Sequence, residues 1–172
     1  AGLGVIPSQI SRQKPIYSHK LHPDEHERRM TACYAPYHQQ IKAMIDNGLL
    51  RGTVILLDIH SMPSQITSGS ADIVIGSCHG QSAPAWLSTW LCDHFINKGM
   101  KTRMNSPFAG GYITRHYGKP NNDVFAIQIE INRRLYMNER QLQLLPEWVE
   151  MADMLATMIN QISQMMQNDN AL

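Results

Sequence analysis

The sequence predicts an α/β protein in which a layered, mixed β-sheet is flanked by helices. Three short apolar runs rich in Val, Ile and Leu are typical of strands inside such a sheet, at 53–59, 72–76 and 124–130. Stretches with apolar residues at helical spacing alternate with these runs, at 23–46, 84–97 and 146–167. Strands that alternate with helices favour a parallel or mixed sheet with helices packed on it.

The composition indicates one globular domain over residues 1–172. Hydrophobic residues make up 43% and charged residues 17% of the chain, a balance that supports a packed core. The formal charge of +1 gives no basic footprint for nucleic acid. No apolar run approaches the roughly 20 residues that span a bilayer, so we expect no membrane partner. The composition leaves the oligomeric state open.

The cysteines and the first residues favour a cytoplasmic protein. Cys33, Cys78 and Cys92 are odd in number and have no C-x-x-C spacing, which favours reduced thiols. Residues 1–7 lack the charged and then hydrophobic layout of a signal peptide. The chain starts without an initiator Met, so we expect a processed, truncated or excised polypeptide.

The first part of the chain predicts an extended segment and then a helix. Residues 1–22 contain two prolines and scattered polar residues, which favours extended structure. Pro23, followed by Asp24 and Glu25, is typical of a helix start. Pro36 should kink this helix or split it, and a stop at residues 47–48 should end it near residue 46.

The elements of the remaining chain follow in a regular order. The strand at 53–59 should lead into a polar loop at 61–70, and the strand at 72–76 should lead into a helix from Pro84 to about residue 97. Residues 100–104 have the composition of a short strand, and the glycine-rich stretch 105–112 that of a loop. The strand at 124–130 precedes a C-terminal helix that begins at Pro146.

Asp58 and His60 form the first candidate site, at the end of the apolar run 54–57. Side chains alternate along a strand, so residues two apart share a face. Ligands of open α/β sheets bind beyond the carboxyl ends of strands. His60 could therefore meet a metal or a substrate while Asp58 holds its other ring nitrogen. The alternative is a strand that ends in a polar turn with a capped histidine.

Two further polar groups follow predicted strands. Glu130 ends an apolar run, where burial would raise the proton affinity of its carboxylate and suit it to act as a general base. Arg115 and Arg133 have guanidinium groups that can bind carboxylates with two hydrogen bonds. Two of these residues also have a structural alternative, because Glu130 could pair with an arginine at the sheet end and Arg115 could be a surface residue.

Five motifs follow one another along the chain, at 1–7, 36–38, 58–63, 105–118 and 128–137. Together, and in this order, they resemble the N-formylglutamate amidohydrolase family. The resemblance extends to about residue 160. It implies a zinc-exopeptidase-like fold, of which this chain looks like the C-terminal part, incomplete at the N-terminus. It also implies one Zn²⁺ ion that activates water, and a small N-acyl glutamate substrate whose hydrolysis gives formate and glutamate in histidine degradation.

The same resemblance implies roles for individual residues. His60 corresponds to a histidine ligand of the zinc, and Glu130 to the general base. Arg115 and Arg133 are the candidates for binding the substrate carboxylates or the developing oxyanion. The residues expected to line the substrate pocket are Asn105, Tyr112 and Thr114.

The chain also departs from the family pattern. Only one residue of the expected zinc-ligand set, His60, is identifiable, and Ser77 stands where the family has an acid. Two alternatives therefore stay open beside formylglutamate hydrolysis. One is a related zinc amidohydrolase acting on another N-acyl acidic amino acid or a short peptide. The other is a catalytically silent binding domain.

Overall fold

A computed structural model describes residues 4–10 and 14–169. The chain divides into two compact units, 1–47 and 48–172, which are described separately. In the described residues, no helix combines the length and the apolar character that a membrane span requires. All three cysteines are free thiols, as predicted.

The first unit begins with turns and continues as a helix. Gln9 and Pro15 form an isolated antiparallel bridge, and residues 1–3 and 11–13 of the predicted extended segment lie outside the described residues. Helix α1 spans Pro23–Arg29, a π-helical turn spans Met30–Tyr34, and helix α2 spans Ala35–Leu49. The predicted start at Pro23 is confirmed, and α2 ends three residues later than expected.

The π-helical turn explains how the helix tolerates Pro36. Proline has no backbone N–H, and its ring collides with the carbonyl one turn earlier in an α-helix. The N–H of Ala35 donates to the oxygen of Met30, a wider loop than an α-helical bond closes. The helix therefore widens before the proline, and no break occurs at Pro36 itself.

The second unit is built on a four-stranded mixed sheet, as the sequence predicts. Its strands are β1 Val54–Met62, β2 Ile73–Gly76, β3 Thr102–Met104 and β4 Val124–Asn132, in the spatial order β1-β4-β2-β3. β1 is parallel to β4 and β2 is parallel to β3, whereas β2 and β4 are antiparallel. A small hairpin follows, from β5 Met137–Asn138 and β6 Gln143–Leu144.

The expectation that β1 is an interior strand is wrong for the described residues, in which it lies at the edge of the sheet. Its residues 54–58 are only half-buried, and the side chain of Ile59 is 43% exposed. β4 occupies the central position instead, and nearly all of its residues are buried. An apolar run indicates that both faces of a strand are covered, but it does not tell which strands flank it.

Helices α4 Ala85–Ile96 and α6 Trp148–Asp169 supply the main hydrophobic core. Leu87, Leu91 and Met158 are fully buried in one cluster with Ile127 and Ile129 of β4. The other face of the sheet carries a smaller cluster with Phe108 packed against it. This second face also contacts helix α5 Tyr112–Tyr117. The face that packs on α4 and α6 is therefore apolar, and the polar side chains of the central strand β4 lie on the second face.

Two segments predicted as loops contain regular structure. β1 continues to Met62 and is followed by one helical turn, α3 Ser64–Thr67, inside the predicted loop 61–70. The glycine-rich loop at 105–112 leads directly into α5, which the sequence did not predict. Both helices are short, at four and six residues, so neither contains a full apolar repeat that a sequence pattern would reveal.

Candidate active site

Four polar side chains share one face of strands β1 and β4. His60 pairs with Glu130 in the parallel register, and Asp58 pairs with Gln128. Side chains two residues apart on a strand point the same way, and paired residues on neighbouring strands lie side by side. The Asp58–His60 pair and Glu130, predicted separately from the sequence, are therefore one cluster, and they lie on the face opposite to α4 and α6.

Asp58 and His60 are joined by a hydrogen bond. Asp58 Oδ1 lies 2.8 Å from His60 Nε2, so the predicted contact between the two residues is present. The other ring nitrogen, Nδ1, lies 3.9 Å from Glu130 Oε1. Asp58 Oδ2 is buried and has no hydrogen-bond partner among residues 4–10 and 14–169. The imidazole, which is 46% exposed, thus lies between two carboxylates that are much less exposed.

Glu130 is the most deeply buried acid of the cluster, with 6% of its surface exposed. Burial raises the pKa of Glu130 above its ordinary value, although the neighbouring His60 and a hydrogen bond from Gln128 act in the opposite direction. Gln128 Nε2 donates this bond to Glu130 Oε1 over 2.7 Å. This bond engages Oε1, which makes Oε2 the candidate oxygen for accepting a proton from a bound water.

Gln128 is a site residue that sequence reasoning missed. Its side chain is buried, and its Oε1 accepts a hydrogen bond from the backbone N–H of Gly111. A side-chain Cβ at position 111 would lie 3.1 Å from this oxygen, so the contact favours glycine. Its position two residues before Glu130 on the same strand was the available signal.

The loop between β3 and α5 crosses the sheet close to Gly76. A Cβ at position 76 would lie 2.8 Å from the carbonyl carbon of Ala109 and 2.9 Å from the nitrogen of Gly110, so only glycine fits without a shift. Asn105 Oδ1 accepts hydrogen bonds from the backbone N–H groups of Ser77, at 2.9 Å, and His79, at 3.2 Å. Asn105, predicted to line the substrate pocket, thus holds the turn after β2.

Arg133 directly follows β4, and its side chain contacts β1. Its Nε donates to Ser61 Oγ over 3.1 Å, and its positive charge lowers the pKa of Glu130 against the larger effect of burial. The adjacent Arg134 turns the other way and forms an ion pair with Asp72. Arg133 therefore brings a guanidinium group to the strand ends, as a carboxylate-binding residue requires.

The three candidates on α5 differ in accessibility. Arg115 is exposed, and its Nη1 donates to the oxygen of Gly110 over 2.9 Å. Tyr112 is 51% exposed and stacks on His116, with ring centroids 4.9 Å apart. Thr114 is fully buried, and its hydroxyl has no hydrogen-bond partner in the described ranges. The side chain of Thr114 therefore packs near Gly110 in the interior and does not face solvent.

A groove of about 400 Å³ lies beside β1 on the other face of the sheet. Its lining includes Ile59 and Ile131, which alternate with His60 and Glu130, and the helix residues Trp148 and Leu155. This groove is largely apolar. His60 and Ser61 also line it, so the groove adjoins the polar cluster, and the described residues that line it include no arginine or lysine that could bind a carboxylate.

The donor groups do not form a zinc site on their own. A catalytic zinc takes three protein ligands and keeps one position for water. In residues 4–10 and 14–169, no group of three or more His, Cys, Asp or Glu side chains is arranged to hold a metal ion. His60 provides one nitrogen donor, with Nε2 engaged by Asp58. The described residues therefore do not fit a complete catalytic zinc centre.

A mixed-sheet α/β protein with a histidine beside a buried, hydrogen-bonded glutamate has the groups of a hydrolytic site. Comparison with known proteins gives the particular family. The chain belongs to the N-formylglutamate amidohydrolase family, whose model matches residues 1–137.

Relatives with curated descriptions agree with this assignment. The chain is 30% identical over 153 residues to the N-formylglutamate deformylase of Pseudomonas putida, an alignment that covers 82% of this chain and 56% of the relative. It is 29% identical over 148 residues to the N-formylglutamate deformylase of Pseudomonas aeruginosa, covering 81% of this chain and 56% of that protein. The chain thus spans about half the length of these relatives.

Solved structures show the same fold. The N-formylglutamate amidohydrolase of Ralstonia eutropha JMP134 superimposes with a TM-score of 0.89 at 26% identity, over 95% of this chain and 62% of that protein. A protein of Agrobacterium tumefaciens superimposes with a TM-score of 0.71 at 18% identity, over 96% of this chain and 64% of that protein, and supports the fold alone.

Proposed function

We propose that the complete protein hydrolyses the formyl amide of N-formyl-L-glutamate, releasing formate and L-glutamate. The observation that carries the proposal is the buried Glu130 carboxylate, which Gln128 holds through Oε1 and which lies beside His60. Family membership and the names of the relatives support the same substrate.

Glu130 acts as the general base in this proposal. Its Oε2 takes a proton from a water molecule, and the oxygen of that water attacks the formyl carbon. Glu130 then gives the proton to the amide nitrogen, the C–N bond breaks, and formate and the free amine leave. The burial that raises the pKa of Glu130 strengthens it as a base for this proton transfer. Proton transfer by a positioned group typically contributes about 10²- to 10⁴-fold to a rate.

The arginines would bind the negative charges of the substrate. The glutamate part of N-formylglutamate carries two carboxylates, and guanidinium groups bind carboxylates with two parallel hydrogen bonds. We assign the nearer carboxylate or the developing oxyanion to Arg133, because it is held at the end of the two strands and its charge already acts on Glu130. The exposed Arg115 would bind the distal carboxylate, with Tyr112 beside it.

Zinc dependence and the zinc-exopeptidase-like fold remain predictions from the family resemblance. We propose His60 as one zinc ligand in the complete protein, since its imidazole is partly exposed and Asp58 holds it in place. Because the described residues do not form a full ligand set, Glu130 alone carries the proton transfers in this proposal. A cytoplasmic location and a place in histidine degradation are likewise predictions.

Product analysis tests the proposal directly. The complete protein is incubated with N-formyl-L-glutamate, and formate and glutamate are measured in equal amounts over time. N-acetyl-L-glutamate serves as the matched substrate. Release from the acetyl compound alone would favour the related amidohydrolase. Binding of N-formylglutamate without product would favour the catalytically silent domain.

A further inference from the structure

Gln128 connects two parts of the site that are distant in sequence. Its side-chain amide donates from Nε2 to Glu130 Oε1 over 2.7 Å, and its Oε1 accepts the N–H of Gly111. Gly111 directly precedes α5, which carries Tyr112 and Arg115. One amide group therefore contacts both the proposed base and the backbone that presents the proposed substrate-binding residues.

We propose that Gln128 is a positioning residue that fixes the Glu130 carboxylate and the Gly110–Gly111 loop in one arrangement. This inference rests on the proposed function of Glu130 as the base. The bond at Oε1 fixes the rotation of the carboxylate and leaves Oε2 as the oxygen that meets water. The bond to Gly111 fixes the distance between that oxygen and the start of α5.

The chemistry of glutamine suits this position. A glutamine side chain is a donor at one end and an acceptor at the other. The donor end matches the carboxylate, and the acceptor end matches the peptide N–H. Gln128 is 4% exposed, so neither end can replace its protein partner with bulk water at little cost. A side chain of the same length that lacks one of these functions would break one link and keep the other.

Two substitutions distinguish the hydrogen bond to Glu130 from the hydrogen bond to Gly111. Gln128→Glu keeps an acceptor for the Gly111 N–H but places a second carboxyl group against Glu130, and because two buried carboxylates this close cannot both ionise, the proton they share removes Glu130 as a free base. Gln128→Met keeps the length and loses both bonds. We expect kcat to fall roughly 10- to 100-fold in both variants, because small displacements of a catalytic group cost about this much. KM should rise only in Gln128→Met. Gln164→Met, on the exposed side of α6, is the matched control and should leave kcat and KM unchanged.

A second measurement does not depend on activity. Hydrogen exchange at the Gly111 amide, followed by NMR in the complete protein, should accelerate at least 10-fold in Gln128→Met and stay slow in Gln128→Glu. Wild-type kcat in both variants, or unchanged exchange at Gly111 in Gln128→Met, would overturn the positioning role. A variant that only lowers Tm, with normal kcat and KM, would do the same.

The two proposals fail in different ways. If the wild-type protein releases no formate from N-formylglutamate, the proposed function fails, and the exchange measurement still decides whether Gln128 holds the loop. If the wild-type protein is active and the Gln128 variants match it, the function stands and the positioning role is wrong.

Discussion

His60 and Glu130 are direct neighbours on the parallel strands β1 and β4, with Nδ1 and Oε1 3.9 Å apart. Seventy positions separate them in the sequence, and the register alone brings them together. Because Asp58 and Gln128 occupy the next paired positions on the same face, each of the two central side chains has its own hydrogen-bonding partner. The chemistry proposed for the protein depends on this two-strand arrangement.

His60→Ala should abolish stoichiometric zinc in the complete protein, because it removes the only nitrogen donor of the cluster formed by β1 and β4 within the described residues. Metal content is measured by atomic emission after purification without chelators. His26→Ala, an exposed histidine on α1, is the control and should retain wild-type zinc. Full zinc content in His60→Ala would exclude it as a ligand.

Arg115→Ala should raise KM for N-formylglutamate at least 10-fold while kcat changes little, since the lost contact binds a carboxylate remote from the reacting amide. Steady-state kinetics of the complete protein provide the measurement. Arg51→Ala removes a comparable exposed guanidinium outside the site and should be neutral. An unchanged KM would remove Arg115 from substrate binding.

Gly76→Ala should destabilise the second unit. The new methyl group would lie 2.8 Å from the carbonyl carbon of Ala109, so the loop that crosses the sheet has to move. Overpacking of this kind typically costs about 1–3 kcal/mol. Urea unfolding measures the change in free energy, and KM should rise because the loop leads to α5. Wild-type stability and KM would show that the loop does not lie against Gly76.

His94 should make stability depend on pH. Burial in α4 lowers the pKa of His94 below its ordinary value, and Lys98 lowers it further, so the folded state favours the neutral ring. The stability that the neutral ring contributes to the folded state is complete above the ordinary histidine pKa of about 6.5. It is lost as the pH falls below that value toward the folded-state pKa. The free energy of unfolding, measured by urea titration at several pH values, should fall by at most about 1.4 kcal/mol per pH unit from this group.

His94→Gln provides the comparison, because it removes the titrating group and keeps a polar side chain. The variant should show a shallower loss of stability below pH 6.5 than the wild type. The same slope in both proteins would mean that other groups account for the pH dependence, and that the ring of His94 stacked on Trp90 titrates normally.

Several features of the fold were predictable because they depend on local pattern. The apolar run of β4 and the alternation that places Asp58 and His60 on one face are both visible in the sequence. The order of the strands in the sheet was not predictable, because pairing between β1 and β4 depends on contacts between distant segments. The edge position of β1 was missed for the same reason.

The site residues show the same division. Glu130 and His60 were recognisable because a polar side chain at the end of an apolar strand stands out. Gln128 was missed because its spacing from Glu130 shows only that the two share a face, whereas its role depends on where Gly111 lies. Thr114 was expected to line the pocket. It lies on the buried side of the six-residue helix α5, which the sequence analysis did not predict.

The most direct test of the account is formate release by Glu130→Gln in the complete protein. The substitution keeps the size of the side chain and removes the base, so kcat should fall by roughly 10²- to 10⁴-fold while zinc content stays the same. Glu150→Gln, on the exposed surface of α6, should match the wild type. Wild-type formate release by Glu130→Gln would contradict the central claim that this carboxylate carries the proton.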